Sequence, residues 1–439
     1  MKLGDGLLRG ASASFLMRVV GMGLSWLVVM MLTRLLGAEG YGTYAFLLSA
    51  ATVLSLPANF GASMLLVREV GAAQATENWG RMRGAATWAL RYSLLMSLPI
   101  VAAAILTLIF LPHLIPPAVR PGLFWAVGLV VLMPLTALRG GILRGLRQVV
   151  LGQAPEQIVR PTALLLLMLL PFAWGQAVHT PAAAMAANVG ANAIAWVVGA
   201  LILARFWPRE ARAATPTYES ARWRASLLPL GLSNGMYVID GELAVLILGV
   251  IATREETGVF KAAVQFALFA ELGYAVVNVN IAPRLAAAWA KGDRALTQRI
   301  VTQGARLSIA YCIPVALALI VFGKWGVPLL LGKDFEAAWP PLVLLCLGQI
   351  VNAAFGSANA VLNMAHHEKW NTVGFAAGLA ANIILTLVLT PLYGAVGAAA
   401  AMASSVTLRN LIVWRYASVK LGIETGFWSR AVRPPADRD

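Results

Sequence analysis

Chemistry is expected first at ionisable side chains inside long apolar runs, chiefly Arg18, Arg91, Asp240, Glu242 and Glu271. A charged group in such a run costs roughly 2.5–3.5 kcal/mol on insertion scales and usually faces a protein interior or a cavity. At helical spacing Arg18 shares one face with Ser14, Gly21 and Ser25. The forked donors of arginine suit a phosphate or pyrophosphate. Snorkelling to the nearer surface is the competing reading, because Arg18 is only about two turns inside its helix. Arg91 is similarly shallow and reads more as a snorkelling residue. Asp240 falls on one face with Ser233 and Tyr237, whereas Glu242 lies about 200° around the same helix. Glu271, Tyr274 and Asn278 form a second stripe. Asp240 and Glu271 are too central to snorkel. They suit H⁺ or Na⁺ coupling, gating, or an ion pair with a cation such as Arg18; a structural interhelical hydrogen bond is the alternative. The amides Asn59, Asn234 and Asn278 are candidates to bind ligand hydroxyls. For most of the other intramembrane amides, such as Gln153, Asn188, Asn192, Gln349, Asn352 and Asn359, helix-to-helix bonding is the simpler reading.

The elements that must hold these groups follow from the composition. Of 439 residues, 59% are hydrophobic and 12% charged, against about 25% charged in soluble domains. That excludes a soluble enzyme. A membrane helix needs roughly 20 apolar residues. Splitting the runs at Pro, Gly and charged positions predicts twelve spans: 12–35, 41–67, 85–111, 121–145, 149–173, 179–204, 227–252, 257–283, 300–322, 338–364, 370–391 and 395–418. The fold class expected is therefore an all-α integral membrane protein. The first run is too long for a signal peptide, carries Arg18 and lacks a small-residue cleavage site, so it reads as a retained first helix.

The formal charge of +15 finds its place on this map. With the N-terminus inside, 26 Lys and Arg fall to the tails and inner connections, Arg139, Arg160 and Arg409 counted among them, and 6 fall to the outer side. That bias predicts a bacterial inner (cytoplasmic) membrane protein with both termini cytoplasmic. A nucleic-acid patch is excluded, because the charge is dispersed over connections between spans.

The chain also repeats itself. Glu39, Gly42 and Tyr44 match Glu255, Gly258 and Phe260 at an offset of 216, and Arg68 and Gly140 match Arg284 and Gly356 at that offset. Each half has a charged amphipathic stretch before its third span, at 69–84 and 285–299. Six spans per half keep the orientation, which predicts two six-helix lobes related by a pseudo-twofold axis along the membrane normal. The expected division is a lobe over 1–205, a cytoplasmic linker over 206–226, a second lobe over 227–420 and a polar cytoplasmic tail over 421–439.

Several chemistries have no support. There is no phosphate-binding G-x-x-x-x-G-K-[ST] loop, dinucleotide fingerprint or His/Cys ligand cluster, so no cofactor and no metal site is expected, and the chain reads as a non-enzyme. Cys312 and Cys346 lie in apolar runs and read as small buried hydrophobes. A membrane-embedded glycosyltransferase or polysaccharide polymerase is the alternative from another class. No paired acids for a metal-bound sugar nucleotide stand in an inner loop, and the outer connections are short.

Four segments carry a family likeness: Arg34-Leu-Leu-Gly-Ala-Glu-Gly-Tyr-Gly-Thr-Tyr44; Asn59-Phe-Gly61 with Val67-Arg-Glu69; Gly140-Gly-Ile-Leu-Arg-Gly145; and Leu389-Thr-Pro-Leu-Tyr-Gly-Ala-Val-Gly397. Through them the chain resembles the polysaccharide (O-antigen) flippases, within the superfamily that also holds multidrug-and-toxin exporters and lipid II flippases. The resemblance implies translocation of a polyprenyl-diphosphate-linked oligosaccharide for surface polysaccharide synthesis, by alternating access. It implies membrane lipid and polysaccharide-assembly proteins as partners. A cation-coupled multidrug exporter is the alternative within the same superfamily.

Overall fold

The computed structural model describes residues 2–173, 179–365 and 367–429. Among the described residues every regular element is helical, as an apolar chain in lipid requires, because a helix satisfies its own backbone hydrogen bonds. In chain order the helices are α1 (Lys2–Asn59), α2 (Ala62–Ala75), α3 (Trp79–Phe110), α4 (Arg120–Gly145), α5 (Val149–Ala154), α6 (Arg160–Ala173), α7 (Pro181–Phe206), α8 (Arg209–Ala213), α9 (Ser220–Ile251), α10 (Arg254–Ala290), α11 (Arg294–Leu331), α12 (Trp339–Phe355), α13 (Ala358–Met364) and α14 (Glu368–Leu421). A π turn, Pro155–Val159, joins α5 to α6 without interruption.

Among the described residues eight helices are long and apolar enough to cross a membrane, and α9, bent by 42°, makes a ninth. Two of these hold two spans each. Gly37 breaks α1 with φ 66°, and Gly394 breaks α14 with φ 54°. Only a residue without Cβ takes these values at little cost. The continuous α5, π turn and α6 supply the remaining span, so the twelve expected from the sequence are all present. The chain is a multi-pass membrane protein of twelve membrane spans in two lobes.

Two expected spans end early. The second, predicted to reach residue 67, stops at Asn59, because Pro57 lies in its last turn and Gly61 is left-handed with φ 72°. The tenth, predicted to reach 364, stops at Phe355, where Gly356 turns the chain before α13. The amphipathic stretches before each third span have matching turns. Asn78 Oδ1 accepts from the Arg81 amide at 3.0 Å and starts α3; Asp293 Oδ1 accepts from the Leu296 amide at 2.8 Å and starts α11.

By its internal contacts the chain divides into Met1–Glu242 and Leu243–Asp439. In the first unit, α2 and α3 build a core around Leu65, Leu66, Met82 and Ala85. The expected linker is docked on that core. Trp223 is fully buried in it, and Arg83 Nη1 donates to the carbonyls of Arg212 and Ala214, each at 2.8 Å. In the second unit α10 to α14 pack together. Residues 422–429, the start of the expected polar tail, fold back on them. Thr425 Oγ1 donates to the Phe355 carbonyl at 2.7 Å, and the Trp428 ring lies 5.4 Å from that of Phe355. Cys312 and Cys346 are both buried and free.

Candidate functional site

The first unit contains a polar cavity of about 240 Å³. Thr52, Ser55 and Asn59 reach it from α1, Thr136 from α4, Glu156 from the π turn, Arg160 from the start of α6 and Asn192 from α7. Local structure explains the grouping. Glu156 and Arg160 are four residues apart and so lie on neighbouring turns of one helical surface, and the π turn, a feature often found at functional positions, sets the register with which that surface meets the cavity. Thr52 and Ser55 spend their hydroxyls as donors on the carbonyls of Leu48 and Thr52. Asn59 differs, for its buried Oδ1 has no hydrogen-bond partner among the described residues. Beside the cavity a chain of satisfied groups runs inward. Asn188 Nδ2 donates to the Tyr44 hydroxyl at 2.9 Å, and Asn192 Nδ2 donates to Asn188 Oδ1 at 2.9 Å. Arg160 acts electrostatically on Tyr44. The cavity thus offers a guanidinium, the Glu156 carboxylate four residues before it, and an open amide acceptor; of these the guanidinium can bind a phosphoryl oxygen, and the two acceptors a hydroxyl.

The residues expected from the sequence fall in different places. Asn59 lines this cavity. Arg18 is exposed on α1 and does not line it; its expected stripe is split, because Gly21 is buried against Gln157 while Ser25 is exposed. Arg91 is exposed, and its guanidinium lies 5.8 Å from the centre of the Tyr218 ring in the linker. Asp240 is buried at 9% exposure. Glu242 accepts from Ser49 Oγ at 2.5 Å and is within electrostatic reach of Tyr41. The side chains of Asn234, Ser233 and Ser14 lie outside the described residues.

The second unit holds the other stripe. Glu271 and Tyr274 on α10 are both within electrostatic reach of Arg409 on α14. The Tyr274 hydroxyl donates to the Gly356 carbonyl at 3.4 Å, and Asn278 Oδ1 accepts from Ser357 Oγ. Arg409 also lies 4.6 Å from the Phe375 ring centre. Beside it Asn410 Nδ2 donates to Asn352 Oδ1 at 2.8 Å. A carboxyl and a guanidinium thus lie within electrostatic reach of each other, both part-buried, and the carboxyl is the group of the two able to exchange a proton or a cation.

Sequence reasoning missed Arg160 and Arg409 as site residues, and it counted both, with Arg139, to the connections. All three lie inside helices that cross the membrane. Removing them from the 26 leaves 23 on the inner side against 6, so the bias persists. The missed signal was position, since each stands within an expected span. A further buried acid, Glu69 on α2, lies outside the spans. It is 1% exposed and pairs with Arg81 at 2.5 Å and Arg68 at 3.1 Å. Burial pushes its carboxyl up, but the two guanidiniums outweigh this and hold it below the ordinary carboxylate value.

Comparison with known proteins follows from this geometry. A family model described as polysaccharide biosynthesis protein matches residues 7–289. No curated protein sequence matches at a significant level. Among solved structures, an inward-facing multidrug-resistance MATE transporter of the MOP superfamily aligns with a TM-score of 0.71 at 12% identity, covering 92% of this chain and 95% of that one. The lipid II flippase MurJ, in an inward closed conformation, aligns with a TM-score of 0.67 at 12% identity, covering 93% and 87%. A MOP superfamily transporter from Pyrococcus furiosus, noted for reverse polarity of its binding pocket, aligns at 0.59 and 13% identity, covering 93% and 94%. At these identities the likeness shows the fold.

Proposed function

The chain belongs to the polysaccharide biosynthesis protein family, and on that premise we propose that it is a flippase for a polyprenyl-diphosphate-linked oligosaccharide. It acts in the bacterial inner membrane with both termini cytoplasmic, and it moves its substrate outward by alternating access. The family match over residues 7–289 carries this reading. The polar cavity of the first unit supports it. At about 240 Å³ it falls below the 300–1,000 Å³ of a typical ligand pocket, so it takes one phosphoryl group or one sugar ring rather than a whole oligosaccharide. Arg160 meets the anionic diphosphate, for which a guanidinium is well shaped. Asn59 accepts from a sugar hydroxyl. The prenyl tail stays in lipid, where each buried methylene contributes about 0.8 kcal/mol.

The second unit supplies the coupling. Glu271 exchanges H⁺ or Na⁺, and Arg409 sets the charge it faces. Asp240 and Glu242 on α9 are the gating candidates. Polysaccharide-assembly proteins receive the product at the outer face.

The experiment is deletion of the gene, followed by assay of lipid-linked oligosaccharide on each leaflet. Accumulation on the inner leaflet, reversed by the wild-type chain and not by Arg160→Ala at equal membrane abundance, is the expected result. Normal glycan export combined with new drug sensitivity would replace the reading with a cation-coupled multidrug exporter.

A further inference from the structure

A second cavity of the first unit is unlike the polar one. It is an open-sided cavity of about 570 Å³ between α3, α4 and α7, and aliphatic and aromatic groups such as Leu90, Leu135, Trp196 and Leu203 make up most of its wall. Its one buried charge is Arg139, at 4% exposure. Arg139 Nη1 donates to the Ala195 carbonyl at 2.6 Å and to the Trp196 carbonyl at 3.2 Å. Nε and Nη2 are buried with no hydrogen-bond partner among the described residues. Glu156, which lines the other cavity, acts on Arg139 through space without forming an ion pair. At the same wall Arg212, next to the end of α7, contributes a second guanidinium.

A buried charge with two unfilled donors is costly unless something completes it. The chain goes out of its way to keep it. Gly199 on α7 is what leaves room, since a Cβ there would overlap the Arg139 guanidinium. Both helices have carbonyls already held by their own turns, so Arg139 is not needed to satisfy α7. The unfilled donors point to an anionic acceptor, and the apolar wall points to a hydrocarbon chain attached to it.

We infer that this cavity is a binding site for one anionic phospholipid of the surrounding membrane, with the lipid phosphate completing Arg139 and Arg212 and an acyl chain lying along Leu90, Leu135 and Trp196. The site is separate from the polar cavity proposed for the transported substrate, and it does not depend on that proposal. It makes the first unit sensitive to the charge of the membrane it sits in.

The test uses the full chain purified in a zwitterionic detergent. Native mass spectrometry and thermal unfolding are followed as phosphatidylglycerol or phosphatidylcholine is added at equal mole fraction. The expected result is a single retained phosphatidylglycerol and a rise in unfolding temperature that phosphatidylcholine does not produce. Arg139→Met, which leaves no charge to satisfy, unfolds at the same or a higher temperature without lipid and loses at least ten-fold in phosphatidylglycerol retention. Ala200→Phe, which keeps the arginine and fills the cavity wall, loses retention as well. Equal retention of the two lipids, or unchanged phosphatidylglycerol binding in both variants, would overturn the inference. So would displacement by inorganic phosphate alone, or displacement by polyprenyl diphosphate at a ten-fold lower concentration, which would give the site to the free anion or to the substrate.

Discussion

Replacing Glu69 by Gln is the most informative single change outside the cavities. Glu69 Oε1 accepts from Arg68 Nε at 3.1 Å, and Oε2 accepts from Arg81 Nε at 3.1 Å and from Arg81 Nη2. Removing one member of a fully buried pair costs about 3–5 kcal/mol. Here the carboxylate is 1% exposed, but Arg81 is 18% and Arg68 51% exposed, so water recovers part of the loss for Arg68. The glutamine also keeps one acceptor. Hydrogen bonds to charged groups contribute about 1.5–3 kcal/mol each, and a net loss near the low end, about 2 kcal/mol, is expected. For a unit of 242 residues that lowers the unfolding temperature by about 4–8 °C. The folded-state carboxyl is held below its ordinary value of 4.5, so its stabilisation is present above that value and is lost as pH falls through the folded-state value. Tryptophan fluorescence of the purified chain, heated between pH 3.5 and 7, therefore shows a constant gap between wild type and Glu69→Gln above about pH 5.5. The gap narrows below pH 4.5. Equal unfolding temperatures at pH 7, or a gap that survives undiminished at pH 3.5, would refute the ion-pair account.

Other changes follow from the same geometry. Arg160→Ala removes substrate transport at unchanged abundance, whereas Arg160→Lys retains part of it, measured as outward delivery of lipid-linked oligosaccharide. On the proposed coupling role, Glu271→Gln and Arg409→Gln each slow transport at least ten-fold, and the double variant loses less than the product of the two, which a transport double-mutant cycle detects. Gly394→Ala, forced to φ 54° with a Cβ against the Glu256 carboxylate, destabilises by about 1–3 kcal/mol and lowers yield in membranes. Cys312 and Cys346, both buried, resist maleimide labelling until the chain unfolds.

The fold was the more legible part of the sequence. Apolar run length, with over-long runs split at Pro, Gly and charged positions, located twelve spans, because a bilayer imposes one length on every helix. Misplaced ends have a local cause: Gly61 and Gly356 turn the chain inside apolar runs where hydropathy shows no boundary. The site was less legible. Glu271, Tyr274 and Asn278 were found as a stripe because helical spacing places them together. Arg160 and Arg409 were not, because a count of basic residues by connection assigns each arginine to the nearest loop, although each stands within an expected span. The Val67-Arg-Glu69 segment was read as a family signature; its physical content is the ion-pair hub that ties α2 to α3 and, through Arg81 and Glu219 at 3.4 Å, to the segment before α9.

Hydrogen-bond satisfaction separates the two roles that a membrane amide can have. Asn188, Asn192, Asn352 and Asn410 all use their donors on protein partners. Such amides hold helices together, and each is worth about 1 kcal/mol or less in a membrane. Asn59 and Asn359 each have a buried acceptor without a hydrogen-bond partner among the described residues, and of the two it is Asn59 that lines the polar cavity that also holds Arg160. An open acceptor there has a cost that folding does not offset, so it is the amide of this set whose presence a ligand explains. Asn59→Leu should then leave the unfolding temperature equal to or above that of wild type and lower the rate of substrate transport. Asn188→Leu should do the reverse, leaving Tyr44 without its donor and reducing stability before transport at equal abundance. Thermal unfolding and leaflet-resolved oligosaccharide assays of the two variants, side by side, decide the assignment. A stable, fully active Asn59→Leu chain would return Asn59 to the structural class.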